Sequence, residues 1–264
     1  MKPHARIPAC PISQRIILLI VLLLAAISQN TAWAAISLNA TRVIIDQKTQ
    51  EAHIRILNEG LSPVLIQTWT DAGDTTIPLE NLQTPFVIVP PFFRLEPQAT
   101  QQLRIISTQP ENTLPADRES LFWLNIQEVP PAPLTQPQEN YMQIAFRTRI
   151  KVFYRPQAIP FDTESLHQQL TFSITQNNGR FMLQIHNPTP IHVTFLKIDI
   201  GSAPRALAQT LESEESMVAP YSTLTIPIQA AIPDPASASM QVRYTYLNDF
   251  GVSIEHQVQL TPAP

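Results

Sequence analysis

Apolar and polar residues alternate in short runs along most of the chain, with a break about every ten residues. The first series comprises AISLNATRVIID (35–46), AHIRIL (52–57), VLIQTWT (64–70), FVIV (86–89), QQLRIIST (101–108), SLFWLNIQEV (120–129) and MQIAFRTRIKVFY (142–154). A second series follows RPQAIPFD (155–162): QLTFSI, FMLQIH, IHVTFLKIDI, STLTIPIQ, MQVRYTYLND and GVSIEHQVQL. Turn-forming segments separate the runs, among them NEGLSP, DAGD, LEPQAT, NNG, NPTP and NDFG. Period-two alternation bounded by such turns predicts antiparallel strands. The chain is therefore expected to be all-β, and about fourteen runs suit two sandwiches of about seven strands each. The boundary falls where RPQAIPFD interrupts the series. Pro156 and Pro160 make that interruption a stiff hinge rather than a loose tether.

The first residues follow a different pattern. Lys2, Arg6 and Arg15 precede an apolar run from Ile16 to Ile27, and Ala32-Trp33-Ala34 supplies small residues where a signal peptidase reads them. The run is shorter than the roughly twenty residues that span a bilayer. The expected organisation is a signal peptide over 1–34 with cleavage after Ala34, an N-terminal domain over 35–154 and a C-terminal domain over 155–264. Removing the leader takes three cations and no acids, leaving 14 basic against 21 acidic residues, a net charge of −7 with histidine neutral. An acidic chain lacks the basic field that phosphate backbones need, which argues against a nucleic-acid partner. The single cysteine, Cys10, lies in the leader. The exported chain thus has no disulfide and depends on apolar burial, which about 230 residues can supply.

Catalytic and metal chemistry find no support. The 26 prolines discourage long helices, and the five glycines build neither G-x-G-x-x-G nor a P-loop. His53, His167, His186, His192 and His256 form no H-x-x-x-H or H-x-H pair and have no cysteine beside them. No G-x-S-x-G nucleophile elbow occurs. The acidic run Glu212–Glu215 reads as a solvated turn or edge.

The stretch MQIAFRTRIKVFYRP carries the remaining signal. Met142, Ile144, Phe146, Ile150, Val152 and Tyr154 form one mostly apolar stripe, and Arg147, Arg149 and Lys151 lie on the opposite face. Two readings fit the pattern. The stripe faces the chain's own core, or the strand is an edge that another chain covers by β-augmentation.

Particular residues take the reading further. ISLNATRVIID, PPFFRLEP, LPADRESLFWLNIQEVPP, MQIAFRTRIKVFYRP, NPTPIHVT and LNDFG, in this order from about Ala35 to Gly251, resemble the periplasmic chaperones of the chaperone–usher pilus pathway, the PapD-like family. LPADRESLFWLN and IKVFYRP are the most specific of these. The resemblance implies two immunoglobulin-like domains in a boomerang arrangement. It also implies a chaperone that binds pilus subunits by donor-strand complementation and delivers them to the outer-membrane usher, without cofactor or ATP. Met142, Ile144 and Phe146 would be the donated side chains, and Arg42 with Lys151 would clamp the subunit's C-terminal carboxylate. Lys151 has the opposite parity to the donated residues. Glu119, Arg155 and Asp249 match an interdomain ion-pair network, and Pro90, Pro91 and Phe92 match a patch facing the usher. For that patch, a plain turn with buried aromatics is an equal reading. Arg104 matches a further family arginine. The fairly short loop before residue 142 resembles the short-loop branch of the family. The empty protein would expose an edge through which copies could associate. The rival reading is a secreted two-domain β-sandwich that binds sugar or protein through its loops.

Overall fold

In the computed structural model the chain is described over residues 36–108, 113–129, 144–159, 165, 168–177, 179–202, 205–209, 216–228 and 240–262, with residues 202, 205–209 and 261–262 as backbone alone. The expected leader, Met142 and Glu212–Glu215 lie outside these residues.

The alternation becomes strands because one face of each run has a core to enter. In β3 (Glu51–Asn58), Ile54, Ile56 and Asn58 are buried while His53 and Arg55 face water. The same division runs through the first sandwich. One sheet orders β1 (Ile36–Leu38), β3, β7 (Thr100–Ser107) and β5 (Phe86–Val89). The other orders β2 (Arg42–Asp46), β9 (Phe146–Arg155), β8 (Ser120–Val129), β4 (Val64–Asp71) and β6 (Phe92–Leu95). Between them lies a core that includes Ile45, Ile54, Ile66, Leu103, Leu124 and Val152, with Phe86 edge-on to Phe122 at 4.9 Å. Each fully buried side chain of this size contributes about 1.5–3 kcal/mol.

The second sandwich has its own core around Phe172, Phe195, Val242, Tyr244 and Tyr246. One sheet orders β15 (Ser222–Pro227), β11 (Arg180–Asn187), β10 (Thr171–Asn177) and β18 (Thr261–Pro262). The other orders β13 (Arg205–Gln209), β12 (Val193–Ser202), β16 (Gln241–Leu247) and β17 (Ser253–Gln259), with β14 (Met217–Val218) added to β12. Both sandwiches belong to one compact unit, Ala35–Pro264.

The described residues form eighteen strands, more than the expected fourteen, partly because some runs divide between sheets. AISLNATRVIID is read as one strand from its alternation. It breaks at Asn39–Thr41, so that β1 pairs with β3 in one sheet and β2 with β9 in the other. The chain also crosses from sheet to sheet between β5 and β6, through Pro90 and Pro91.

A buried asparagine ties the turn after one long strand of each sandwich, β3 and β11. Asn58 donates to the carbonyls of Ser62 and Leu95 and accepts from the Gly60 amide. Asn187 donates to the carbonyls of Ile191 and Ala219 and accepts from Thr189. Asn187→Ala is expected to cost about 1–3 kcal/mol by stranding buried polar groups, read as a lower denaturant midpoint with an unchanged slope.

Candidate functional site

β9 is half edge and half interior. Along one side it pairs with β8 throughout, from Phe146 opposite Glu128 to Tyr154 opposite Ser120. Along its other side β2 pairs with it, in parallel, only from Arg42 beside Lys151 to Asp46 beside Arg155. Beside residues 146–150 that edge carries no described strand. Among the described residues nothing pairs with its backbone groups there, the arrangement to which another strand can be added.

The side chains divide in the same way. Ile150, Val152 and Tyr154 are buried in the first core. The same stripe continues outward to Phe146 and Ile144, which are 62% and 56% exposed. The apolar stripe therefore outruns its own core. The alternate face carries Arg147, Arg149, Lys151, Phe153 and Arg155, and its last two residues are buried against the second sandwich, Phe153 beside the His192 ring at 5.3 Å. The opposite parity of Lys151 follows directly: it lies on the outer face, and the exposed apolar residues lie on the inner one.

Arg42 and Lys151 stand side by side where the open edge ends. Arg42 is buried; its Nη1 donates to the Leu247 carbonyl at 3.2 Å, and its Nε has no hydrogen-bond partner. Its Cζ lies 5.9 Å from the Phe153 ring centre. Burial lowers its pKa, against the attraction of Asp249 and Glu119. Lys151 Nζ reaches Thr194 Oγ1 at 3.4 Å and lies 5.7 Å from the Trp123 ring centre. Burial, and secondarily the Arg42 charge, pull its pKa down to about 8. Neither residue forms an ion pair with a described carboxylate. Two adjacent, partly desolvated cations that no described carboxylate contacts are costly alone and suited to an anion.

Arg155, Glu119 and Asp249 come together at the junction of the sandwiches. Arg155 donates through Nε and Nη2 to Glu119 Oε1 at 2.9 and 2.7 Å, and through Nη1 and Nη2 to Asp249 at 2.7 and 2.9 Å. Burial would depress the Arg155 pKa, but hydrogen bonds and charges from Asp249 and Glu119 more than reverse it. The sequence reading missed His192, whose amide donates to Glu119 Oε2 at 2.8 Å. No spacing marks it, because a backbone amide leaves no trace in the residue pattern.

A second network on the outer face was also missed. Arg149 donates to Asp71 at 2.5 Å and to the Gly73 carbonyl at 3.1 Å, while Asn125 donates to Asp71 at 2.6 Å. Burial raises the Asp71 pKa, and the hydrogen bonds from Arg149, Asn125 and Gly73 outweigh it. Arg149 also sits over Trp123, its Cζ 4.3 Å from the ring centre. Both Trp69 and Trp123 lie in strands, β4 and β8, rather than in loops.

Of the remaining positions, Phe92 is 58% exposed and not a buried turn aromatic. Thr68 anchors the preceding prolines, its amide donating to the Pro91 carbonyl at 2.8 Å. Arg104 pairs with Glu51 at 2.8 Å on an exposed face of β7 and β3.

The chain matches two family profiles. Residues 35–160 match one described as a pili and flagellar-assembly chaperone, PapD N-terminal domain, and residues 165–258 match the pili assembly chaperone PapD, C-terminal domain. It is 32% identical over 233 residues to the probable fimbrial chaperone YadV of Escherichia coli K12, covering 88% of this chain and 92% of that protein. It is also 32% identical to the chaperone protein FimB/FhaD of Bordetella pertussis, covering 87% and 89% of the two chains. A crystal structure of a YadV chaperone superposes with a TM-score of 0.71 at 31% identity, over 86% of this chain and all of the other. Salmonella enterica SafB, solved in complex with SafA pilin, gives 0.67 at 27% identity, over 87% and 98%.

Proposed function

The chain belongs to the PapD family of pili assembly chaperones, and on that premise we propose that it holds pilus subunits in the periplasm and yields them to an outer-membrane usher. The observation that carries this reading is the edge of β9, unpaired among the described residues, ending at two cations that no described carboxylate contacts. A subunit strand laid along residues 146–150 would extend the sheet, taking backbone hydrogen bonds from β9. Ile144 and Phe146, with Met142 before them, would enter the subunit's unfilled groove. Arg42 and Lys151 would receive its terminal carboxylate through charge-assisted hydrogen bonds, each contributing about 1.5–3 kcal/mol. Glu119, Arg155 and Asp249 would hold the two sandwiches in the relation that keeps this corner formed. The exposed Phe92, after Pro90 and Pro91, would face the usher. An empty edge could also be covered by a second copy of the chain.

The test is co-expression with the pilin encoded beside this chain, followed by purification from the periplasm. The reading predicts a soluble one-to-one complex that Arg42→Ala abolishes. If the pilin aggregates equally with and without the chaperone, the reading fails.

Capture should also weaken in alkali. The free Lys151 loses its proton around pH 8, and a bound carboxylate favours the protonated form. The complex then holds more protons than the free chain above that pH, so affinity falls as pH rises, by up to about tenfold per unit. Titrating complex formation from pH 7 to 10 checks this. A flat profile would contradict it.

A further inference from the structure

We propose that Arg147 selects subunits carrying an acidic side chain two residues before their C-terminus, an inference that rests on the function proposed above. The register leads to this position. The guest's carboxylate belongs at the Lys151 end of the open edge, and β9 runs toward that end. The guest strand therefore runs parallel to β9 and in line with β2, which takes over the edge at Lys151. Its last residue lies beside Arg149, with the carboxylate directed onward at Arg42 and Lys151. Strand neighbours directly opposite one another share a face. The penultimate residue thus faces inward beside Thr148, on the stripe of Phe146. The residue before it faces outward beside Arg147.

The outward face treats its cations unequally. Arg149 is committed to Asp71 and the Gly73 carbonyl. Lys151 is assigned to the carboxylate. Arg147 is exposed and forms no ion pair with a described carboxylate. Its Cζ lies 6.0 Å from the ring centre of Trp69 on β4, so in the empty chain the side chain leans across β8 and rests on the outer face of the sheet, held by a single exposed cation–π contact. An acidic side chain on the guest strand, directly beside Arg147, would offer that guanidinium the anion it lacks among the described residues.

The experiment is a competition. Two forms of the neighbouring pilin, with Glu or Lys two residues before the C-terminus, are co-expressed with tagged chaperone, and the captured ratio is read by mass spectrometry. An exposed pair worth a fraction of a kcal/mol, set against repulsion, predicts that the Glu form is enriched about fivefold. Arg147→Gln should bring the ratio to near one, and Arg147→Glu should invert it. Capture of both forms with a ratio that Arg147→Glu leaves unchanged overturns this inference and leaves the chaperone reading standing. Capture of neither form by the parent chain overturns that reading and this inference with it.

Discussion

Lys151→Met is expected to abolish subunit capture and leave the chain at least as stable as its parent. The two effects have separate causes. Removing one partner of a buried charge contact costs about 2–5 kcal/mol, roughly thirtyfold to several thousandfold in affinity. The free chain, by contrast, loses a burden. Burial and the neighbouring Arg42 depress the Lys151 pKa to about 8, below the value of about 10.4 for an unfolded lysine. Folding therefore disfavours the charged form. That penalty is present in full below about pH 8 and fades as pH rises toward the unfolded value. Methionine fills similar space without the charge, so the melting temperature at pH 7 should hold or rise, with the difference shrinking by pH 10. Capture that survives the substitution would remove Lys151 from the site. A clear fall in melting temperature would make it a structural residue.

Arg155→Ala should be among the most destabilising single changes in the chain, at about 3–5 kcal/mol. Arg155 is 3% exposed and Glu119 is 4% exposed, so truncation strands a carboxylate shielded from water. It also releases Asp249 from its contact across the junction. Urea unfolding measures the loss. The double variant Arg155→Met with Glu119→Gln should recover part of it, because no uncompensated charge remains on Glu119 and the amide can still meet His192. A loss below about 1 kcal/mol for Arg155→Ala would mean that the network contributes little to holding the fold.

The sandwiches were legible because period-two alternation and turn residues report directly on which face finds a core. The switch of sheet at Asn39–Thr41 was not, because its one trace, a change of parity from Ile36 and Leu38 to Val43 and Ile45, is obscured by the unbroken apolar run Val43–Ile45. The same limit applies to β9. Its stripe from Ile144 to Tyr154 reads identically whether or not a core lies beneath it, and only the structure places Ile144 and Phe146 outside. Arg147 and Arg149 are likewise equivalent in sequence. They differ because Asp71, 78 residues away, reaches one and not the other. Arg42, Lys151, Glu119, Arg155 and Asp249 were named through family resemblance. Their spacing alone would have left them as ordinary strand charges.

The alignment of β2 with the open edge has a consequence for timing. Because β2 takes up the edge at Lys151, it acts as an end-stop, and a guest strand that continued past its last residue would collide with it. Only a chain that finishes there can present a carboxylate to Arg42 and Lys151. A polypeptide still being threaded across a membrane has no free C-terminus on the far side. In the role proposed for this corner, it would accept finished chains and pass over those still in transit.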